Sequence, residues 1–453
     1  MWWASKNVTH VELSHWPAPF ATSPVDATVQ VPGSKSLTNR FLVLAALADG
    51  PSRLRAPLIS RDSALMVQAL TALGAGFTEV AGDGAFGPDL LVTPLDPAAT
   101  GDVSIDCGLA GTVMRFVPPL AALRTGSASF DGDPHARQRP MGAVIQALRG
   151  LGIAVDDDGD GQLPFTVTGT GSVPGGKLVV DASASSQFIS ALLLVGARFT
   201  DGLHLEHVGP PVPSLDHIAM TVRVLREVGV DVDDSLPNQW RVSPGSISAF
   251  DIRIEQDLSN AGPFLAAALV TGGTVRIPNW PLGTTQVGDQ WRDILTQLGA
   301  KVDLAEGTLT VTGGARIRGA HLADTSELAP TVAALCALAD SPSTLSGIAH
   351  LRGHETDRLK ALATEINRLG GDVTETDDGL SISPAPLHGG VFMTYEDHRM
   401  ATAGAIIGLA TEGVEVENIG TTAKTMPQFP ELWADLAATG RTTAAEPVPG
   451  GGR

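Results

Sequence analysis

The chain has 453 residues, 43% of them hydrophobic, a size typical of two or three domains with large cores. Its 49 acidic residues outnumber 30 basic ones, and the net charge of −19 argues against nucleic acid or an anionic membrane as a partner. The two cysteines, Cys107 and Cys336, lie far apart, which excludes a disulfide scaffold and disfavours a zinc site.

The N-terminus, from Met1 to Asn7, has no basic region followed by an apolar run, so it does not resemble a signal peptide. No apolar stretch reaches the roughly 18 residues that would suggest a membrane span. We therefore expect a soluble, cytoplasmic protein. We also expect loose tails at the ends, up to about Ser23 and after Arg441.

The first predicted elements surround the segment Pro32–Arg40. Ala27–Val31 alternates and is β-branched, which predicts a strand, and Phe41–Leu47 predicts a helix. Backbone N–H groups at a helix start, beside a lysine and hydroxyls, form an anion site. A P-loop is excluded, because Ser34 stands where the second glycine is required. The alternative is a polar loop before a buried helix, with Lys35 in solvent.

One helical pattern recurs at intervals of roughly 70 to 78 residues. Each copy is an amphipathic helix that ends at a glycine and is followed by an apolar strand. This spacing is too long for a solenoid repeat. It favours six compact units of several strands and two helices, in which helices face a shared centre and strands lie outside. The six glycines are Gly74, Gly152, Gly229, Gly299, Gly370 and, in a degenerate copy, Gly440.

A second repeat consists of a small polar turn before an apolar helix, at Asp106–Thr112, Asp181–Phe188 and Asp257–Phe264. Such turns either cradle anions or simply cap the helix. We interpret Asp257–Phe264 as a cap. We assign ligand contact to Ser185–Gln187, because three polar side chains in a row exceed what one cap needs.

Seven stretches, in order, resemble the signature sequences of the 5-enolpyruvylshikimate-3-phosphate (EPSP) synthase family. They extend over roughly Val31 to Trp433 and are Pro32–Arg40, Gly108–Arg115, Arg139-Pro140, Ser183–Phe188, Glu355–Arg358, Asp397–Met400 and Ala423–Thr425. The resemblance implies an inside-out α/β fold of two domains, each of three βαβαββ units with buried helices and outward sheets. Residues 1–32 and 253–453 would form one discontinuous domain and residues 33–252 the other. The active site would lie in the cleft between them.

The reaction implied by this resemblance transfers the enolpyruvyl group of phosphoenolpyruvate to the 5-hydroxyl of shikimate-3-phosphate and releases phosphate, by addition and elimination. Several Arg and Lys side chains must converge to neutralise two phosphates and two carboxylates. Acid–base groups must protonate the methylene and deprotonate the hydroxyl. No metal or other cofactor is expected. The resemblance further implies a monomer. It also implies inhibition by glyphosate, which competes with phosphoenolpyruvate for its pocket.

Carried over position by position, the resemblance implies two sets of binding residues. For shikimate-3-phosphate they are Lys35, Ser36, Arg40, Ser185, Ser186, Gln187, Ser214, Glu327 and His354. For phosphoenolpyruvate they are Lys35, Gly111, Arg139, Gln187, Arg358, Arg399 and Lys424. The catalytic set is Glu355 as proton donor to the methylene, Glu327 as base near the hydroxyl, and Lys35 and His398.

Several of these residues have a simpler interpretation. Glu355 would be an ordinary dipole partner if it lay in the first turn of a helix. Asp397 could simply orient Arg399, His398 could be a core imidazole, and Arg115 could pack rather than bind.

The chain departs from the family pattern at several positions. Many members carry Asp at Glu327, Lys at His354, Tyr at His217, Asn at Leu109 and Pro at Phe116. Glu327 keeps the carboxylate of the usual Asp on a longer side chain, so its role as a base would be retained. Since imidazole titrates near neutrality, His354 predicts weaker or more pH-dependent binding of phosphoenolpyruvate.

Two other functions remain as alternatives. The sister family, UDP-N-acetylglucosamine enolpyruvyl transferase, usually carries a reactive cysteine in the loop before its Arg-Pro stretch, and residues 131–140 contain none. Ser185–Gln187 also suits a small phosphate better than a nucleotide. The other alternative is a non-catalytic, anion-binding relative that keeps the fold.

Overall fold

A computed structural model describes residues 15–96 and 98–439. Gly440 and the expected C-terminal tail after Arg441 lie outside these residues, as do residues 1–14. The expectation of a loose tail up to Ser23 is wrong for the described part. There His15–Pro17 is a strand, and the N–H groups of Ala18 and Ala21 donate to carbonyls of the same lobe at 3.0 Å.

Two hydrophobic cores divide the chain into two lobes. The middle lobe packs around residues from Leu37 to Ile254, and the N/C lobe packs around Val25–Val31 together with residues from Leu258 to Ala437. The predicted boundary between the middle lobe and the C-terminal part of the N/C lobe lies between residues 252 and 253. In the structure Ile254 still packs in the core of the middle lobe.

The middle lobe contains twelve strands and six α-helices among the described residues. The strands are β3 (Ser52–Arg55), β4 (Gly76–Val80), β5 (Asp89–Thr93), β6 (Val103–Asp106), β7 (Thr125–Asp131), β8 (Ala154–Asp156), β9 (Phe165–Thr170), β10 (Gly176–Val180), β11 (Leu203–His207), β12 (Val232–Asp233), β13 (Gln239–Val242) and β14 (Asp251–Arg253). The helices are α1 (Lys35–Leu47), α2 (Arg61–Ala72), α3 (Gly111–Ala121), α4 (Gly142–Gly150), α5 (Gln187–Gly196) and α6 (Leu215–Glu227), with a 3₁₀ helix at Ala136–Gln138.

The N/C lobe has a similar composition, with eleven strands and six α-helices among the described residues. Its strands are β1 (His15–Pro17), β2 (Asp26–Thr28), β15 (Thr274–Ile277), β16 (Lys301–Ala305), β17 (Thr308–Thr312), β18 (His321–Ala323), β19 (Ser343–Ser346), β20 (Asp372–Glu375), β21 (Leu380–Ser383), β22 (Gly390–Phe392) and β23 (Val414–Glu417). Its helices are α7 (Leu258–Thr271), α8 (Trp291–Gln297), α9 (Ala329–Ala337), α10 (Arg358–Arg368), α11 (His398–Ala410) and α12 (Phe429–Thr439). Its 3₁₀ helices are Val287–Gln290, Ser326–Leu328, Ala349–Gly353 and Ile419–Lys424.

Five of the six sheets share one topology. In the order β6-β7-β9-β8, for example, the first pair is parallel and the other two pairs are antiparallel. Two sheets take their first strand from elsewhere in the chain: β14 pairs with β3, and β2 pairs with β15. Because β1 and β2 belong to the N/C lobe, the chain crosses into the middle lobe after β2 and returns to the N/C lobe after β14. The sixth sheet, β1-β23-β22, has three strands among the described residues.

Each unit pairs a largely buried helix with an amphipathic one. All eleven residues of α3 are buried, whereas α2 buries Leu65, Met66 and Leu70 and leaves Gln68 exposed. Gly74, after α2, has φ +110°, a conformation that side chains other than glycine rarely adopt, which confirms the predicted cap. The inside-out fold is therefore confirmed. No helix in the described part of the chain is long and apolar enough to cross a membrane.

Candidate active site

One cavity lies between the lobes, and the N-terminal ends of helices from both lobes point into it. Residues at the start of α1, α3, α5, α7, α10 and α11 line it, namely Lys35, Gly111, Gln187, Asp257, Arg358 and His398. Helix N-termini carry unpaired N–H groups and a positive partial charge. The repeated turn before each buried helix thus focuses positive potential on one place.

Every residue that the sequence assigns to substrate binding or catalysis lines this cavity. The middle lobe contributes Lys35, Ser36, Arg40, Gly111, Arg139, Ser185, Ser186, Gln187 and Ser214, and the N/C lobe contributes Glu327, His354, Glu355, Arg358, His398, Arg399 and Lys424. These positions are scattered over most of the chain, so their convergence is a property of the tertiary structure.

Lys35 opens helix α1 directly after Ser34, whose side chain accepts from the N–H of Leu37. The Lys35 Nζ atom lies 3.7 Å from Oδ2 of Asp62. The Lys35 backbone N–H donates to Asp257 at 3.2 Å, which ties the two lobes together. Asp257 also caps α7 by accepting from Asn260 N–H, which confirms the predicted capping role. Asp62 is not singled out by the sequence, since an acid in a first helical turn is common.

Glu327 is held by three donors. Ser259 Oγ donates to Oε1 at 2.8 Å, Arg399 Nη2 donates to the same oxygen at 3.2 Å, and His217 Nε2 lies 3.1 Å from Oε2. Burial raises the pKa of Glu327, but His217 and Arg399 outweigh burial and hold the pKa well below its usual range. The carboxylate therefore keeps one acceptor position, on Oε2, available to a further hydroxyl donor.

Glu355 lies against two cations and an imidazole. Lys424 Nζ lies 2.9 Å from Oε1, His398 Nδ1 lies 2.9 Å from Oε2, and Arg358 Nη2 lies 3.7 Å from Oε1. Burial raises the pKa of Glu355, but Lys424 and His398 outweigh it and lower the pKa well below its usual range. Glu355 precedes the Asp357 cap of α10, so it is not in a first helical turn. The simple dipole interpretation of Glu355 is therefore wrong.

Asp397 orients Arg358, and this corrects the expectation that it orients the Arg399 side chain. The carboxylate accepts Nε and Nη2 of Arg358 at 2.7 and 3.1 Å, and it caps α11 through the backbone N–H of Arg399. Burial lowers the pKa of Arg358, but Asp397 and Glu355 outweigh burial and raise it. The remaining amine of Arg358, Nη1, lies 3.2 Å from His354.

His354 does not act as a titrating cation near neutral pH, so pH-dependent binding of phosphoenolpyruvate is not supported and weaker binding stays a prediction. Burial, followed by the charge of Arg358, lowers the pKa of His354 well below its usual range. Because a guanidinium only donates, Nδ1 of His354 accepts from Arg358 and the proton sits on Nε2. The imidazole is therefore neutral and helps to orient the arginine.

Two buried arginines on the middle-lobe side donate mainly to neutral groups. Arg40 donates to Thr221 Oγ1 at 2.8 Å, and to the carbonyls of Ser36 and His217 at 2.9 and 3.0 Å. Burial lowers the pKa of Arg40 to about 10. Arg115 donates to Gln187 Oε1 at 3.3 Å, and burial lowers its pKa well below the usual range. Both arginines are 2% exposed, so Arg115 both packs and lines the cavity.

Gly111 lies against two guanidinium groups. A Cβ at this position would lie 2.7 Å from Arg115 Nη1 and 3.0 Å from Arg139 Nη2. Arg139 donates one bond, to the Leu109 carbonyl at 3.2 Å, and its buried Nε has no partner among the described residues. Burial lowers the pKa of Arg139, and the opposing charges of Glu355 and Asp62 do not outweigh it. This corner of the cavity is suited to an anion.

The serines provide hydroxyls at the start of α5 and α6. Ser186 occupies the cap position of α5 without a side-chain cap bond, while Ser185 Oγ accepts from Gln187 N–H at 3.3 Å. Ser214 adopts a left-handed conformation, and its hydroxyl lies 2.9 Å from Ser326 Oγ of the N/C lobe. An uncapped helix start next to hydroxyls is a suitable phosphate site.

Glu355, Asp397 and His398 offer three possible metal-ligand atoms within 4.8 Å of one another. Both carboxylates are already paired with cations, Lys424 for Glu355 and Arg358 for Asp397. A divalent ion here would have to displace these partners, so the cluster fits an anion-binding site better than a metal centre.

Sequence reasoning missed some residues of the cavity. His217 was noted only as a departure from a family pattern, yet it contacts Glu327. His350 lies 3.4 Å from the Ser214 hydroxyl, and Thr112 accepts from Asn39 at 2.6 Å. A lone histidine or threonine carries no periodic signal, so neither could have been found without the structure.

Comparisons with known proteins agree with this geometry. Residues 20–433 match the family model described as EPSP synthase (3-phosphoshikimate 1-carboxyvinyltransferase). A 3-phosphoshikimate 1-carboxyvinyltransferase from Kocuria rhizophila is 61% identical over 439 residues, which are 96% of this chain and 99% of that protein.

Solved structures share the fold. An EPSP synthase from Acinetobacter baumannii superposes with a TM-score of 0.75 at 24% identity, over 93% of this chain and 98% of that one. The enolpyruvyl transferase NikO from Streptomyces tendae gives a TM-score of 0.73 at 19% identity, over 93% and 97% of the two chains.

Proposed function

Because this chain belongs to the EPSP synthase family, it transfers the enolpyruvyl group of phosphoenolpyruvate to the 5-hydroxyl of shikimate-3-phosphate, and we propose how its cleft residues share that work. The observation that carries the proposal is the convergence of cations from both lobes in one cavity. These cations are Lys35, Arg139, Arg358, Arg399 and Lys424. In a chain of net charge −19, such a concentration is suited to two small phosphorylated acids.

The middle lobe holds shikimate-3-phosphate. The hydroxyls of Ser185, Ser186 and Ser214 bind its phosphate at the starts of α5 and α6. Ser36, Arg40 and Gln187 hold the ring and carboxylate, with Lys35 between the two substrates. His354 approaches from the N/C lobe and orients Arg358.

Phosphoenolpyruvate binds between the lobes. Arg358, Arg399 and Lys424 come from the N/C lobe and Arg139 from the middle lobe, so a bound anion would join the two. Gly111 leaves the space that the ligand needs beside Arg139. Three of these cations now face carboxylates: Arg358 at Asp397, Arg399 at Glu327 and Lys424 at Glu355.

Glu327 accepts the proton of the 5-hydroxyl. Its free acceptor position on Oε2 would receive the hydroxyl, while Ser259, Arg399 and His217 fix the carboxylate plane. The deprotonated oxygen then attacks C2 of phosphoenolpyruvate as C3 gains a proton. This addition leaves a tetrahedral centre that still carries the phosphate.

Glu355 supplies the proton to C3 and takes one back during elimination of phosphate. Its carboxyl is ionised while Lys424 and Arg358 lie beside it. When phosphoenolpyruvate draws these cations onto its own negative charges, their field at Glu355 weakens, so the pKa of Glu355 rises and protonation becomes possible. His398 contacts Oε2 of Glu355 and exchanges the proton with this carboxyl group.

The site is complete within one chain, which supports a monomer, and we infer that it acts in the cytoplasm, where both substrates are metabolic intermediates. Glyphosate would compete at the Gly111 and Arg139 corner. Sedimentation at several concentrations would test the monomer, and inhibition competitive with phosphoenolpyruvate would test the glyphosate site.

A coupled phosphate-release assay tests the proposed function. We expect release only when phosphoenolpyruvate and shikimate-3-phosphate are both supplied. Release with UDP-N-acetylglucosamine as acceptor would instead indicate the sister activity. No release with either acceptor would favour an anion-binding protein without catalysis.

A further inference from the structure

A strained turn leads into two residues that line the cavity. Residues 393–397 connect β22 to α11, and the residues that follow it at the start of α11 include His398 and Arg399. Tyr395 and Glu396 are consecutive non-glycine residues with φ of +54° and +57°. Each left-handed residue of this kind costs about 1–3 kcal/mol, so contacts elsewhere must hold the turn.

The main holding contact is a fully buried carboxylate that the proposed reaction does not use. Glu365 is 0% exposed and lies on α10. Its Oε2 accepts the backbone N–H of Met393 at 3.0 Å, and its Oε1 accepts the hydroxyl of Tyr395 at 2.6 Å. Arg368 pairs with the same carboxylate at 3.0 Å, which offsets the burial of its charge. Neither Glu365 nor Tyr395 lines the cleft cavity.

Helix α10 therefore binds the turn through hydrogen bonds at two points. Arg358, at the start of the helix, holds Asp397 with two hydrogen bonds. Glu365 follows seven residues later, two turns along the same helix face, and holds the other end of the turn. A second carboxylate, Glu417, accepts the N–H of Thr394 at 3.1 Å. The spacing between the contacts of Arg358 and Glu365 with the turn fixes where Arg399 enters the cavity.

We propose that Glu365 and Tyr395 are positioning residues for phosphoenolpyruvate, because they hold the turn that sets Asp397 and Arg399 in place. This inference rests on the proposed function, in which Arg358 and Arg399 bind that substrate. If the turn relaxes, Asp397 loses its geometry on Arg358 and Arg399 moves away from its binding position. The serine sites at α5 and α6 lie in the other lobe and would be unaffected.

Steady-state kinetics of Glu365→Gln and Tyr395→Phe test this proposal. We expect Glu365→Gln to raise KM for phosphoenolpyruvate about tenfold, as small displacements of binding groups do, with KM for shikimate-3-phosphate within about twofold. Tyr395→Phe removes one hydrogen bond from a 39%-exposed ring, so it should fold normally and show a smaller rise in the same KM.

Asn367→Ala is the matched control. Asn367 lies on the same helix and holds Val373 with two 2.8 Å bonds, but it does not contact the turn. It should lower the unfolding temperature without changing KM for phosphoenolpyruvate. A rise in that KM equal to the rise for Glu365→Gln would overturn the proposal, because the effect would then be general destabilisation.

Tyr395 is the only tyrosine in the chain, so its ionisation can be followed by ultraviolet absorbance. Burial and the hydrogen bond to Glu365 raise the pKa of Tyr395 to about 12, with Arg368 opposing. In Glu365→Gln the pKa should fall towards about 10.

Unchanged KM for phosphoenolpyruvate in both variants would overturn the proposal, even if the absorbance shift is seen. A rise in KM for shikimate-3-phosphate alone would support a positioning role of Glu365 and Tyr395 through the turn. It would overturn the assignment of Arg358 and Arg399 to phosphoenolpyruvate.

Discussion

His217 and Glu327 meet across the cleft, with Nε2 of the imidazole 3.1 Å from Oε2 of the carboxylate. His217 lies in the first turn of α6 in the middle lobe, and Glu327 lies in the 3₁₀ helix Ser326–Leu328 of the N/C lobe. The other two partners of Glu327, Ser259 and Arg399, both belong to its own lobe. The proposed base is therefore fully oriented only when the two lobes are together.

Replacing His217 tests this relationship. We expect His217→Ala to lower kcat about tenfold, the loss of one charge-assisted hydrogen bond. His217→Gln keeps an N–H donor of similar reach and should stay within about threefold of the wild type. Rate measurements at saturating substrates distinguish the two variants. Equal kcat values for Ala and Gln would show that the contact does not orient the base.

Glu355→Gln should remove the proposed acid while leaving binding in place. The amide can still contact His398, but it cannot deliver a proton. We expect kcat to fall about a hundredfold or more, as the loss of a general acid does, with substrate affinities roughly unchanged. Equilibrium binding and single-turnover rates measure the two quantities separately. Wild-type turnover would remove Glu355 from the acid role.

Gly111→Ala should weaken glyphosate more than phosphoenolpyruvate. The new Cβ would lie 2.7 Å from Arg115 and 3.0 Å from Arg139, so these guanidinium groups must shift. The bulkier inhibitor would suffer most from the reduced space. We expect the inhibition constant of glyphosate to rise by a larger factor than KM for phosphoenolpyruvate. Equal factors for the two ligands would contradict this position for Gly111.

The stability of the protein should fall in acid because of the cleft carboxylates. The folded-state pKa values of Glu327 and Glu355 are both lowered well below 4.5, so their ionised forms favour the folded state. This stabilisation is present above the unfolded-state pKa of about 4.3 and is lost as pH falls through the folded values.

Unfolding temperatures measured from neutral pH downwards would show the effect. Below pH about 4.5 the curve for the wild type should fall more steeply than the curve for Glu327→Gln, which lacks one of the two groups. Parallel curves would show that Glu327 does not contribute in this way.

Much of the fold could be predicted because its signals are local and repeated. Within the described residues, amphipathic helices end at glycines such as Gly74 and Gly370, and both have positive φ in the structure. The loose tail expected up to Ser23 was wrong from residue 15 onward, since His15–Pro17 pairs with a strand about four hundred residues away. A three-residue strand carries too little pattern to be recognised without its partner.

The residues of the site could be predicted from the sequence, but the hydrogen bonds and ion pairs between them could not. The resemblance supplied Arg358, Asp397 and His354 by position, but the simpler interpretation of the residues suggested Arg399 as the partner of Asp397, and the charge of His354 was left open. Their roles depend on burial and on one another, and short motifs contain neither quantity.

The sequence by itself determined the six units, the buried helices with polar turns before them, and which cations a strongly acidic chain would gather. The units and the turns follow from hydrophobic period and helix-end chemistry, which act within a few residues, whereas the cations follow from the family resemblance. Only the tertiary structure decided the pairing of charges, because Arg358 and Asp397 are 39 residues apart and Glu327 and Arg399 are 72 apart. Such pairs, like the contact of His217 with Glu327, depend on how helices pack and how the two lobes meet.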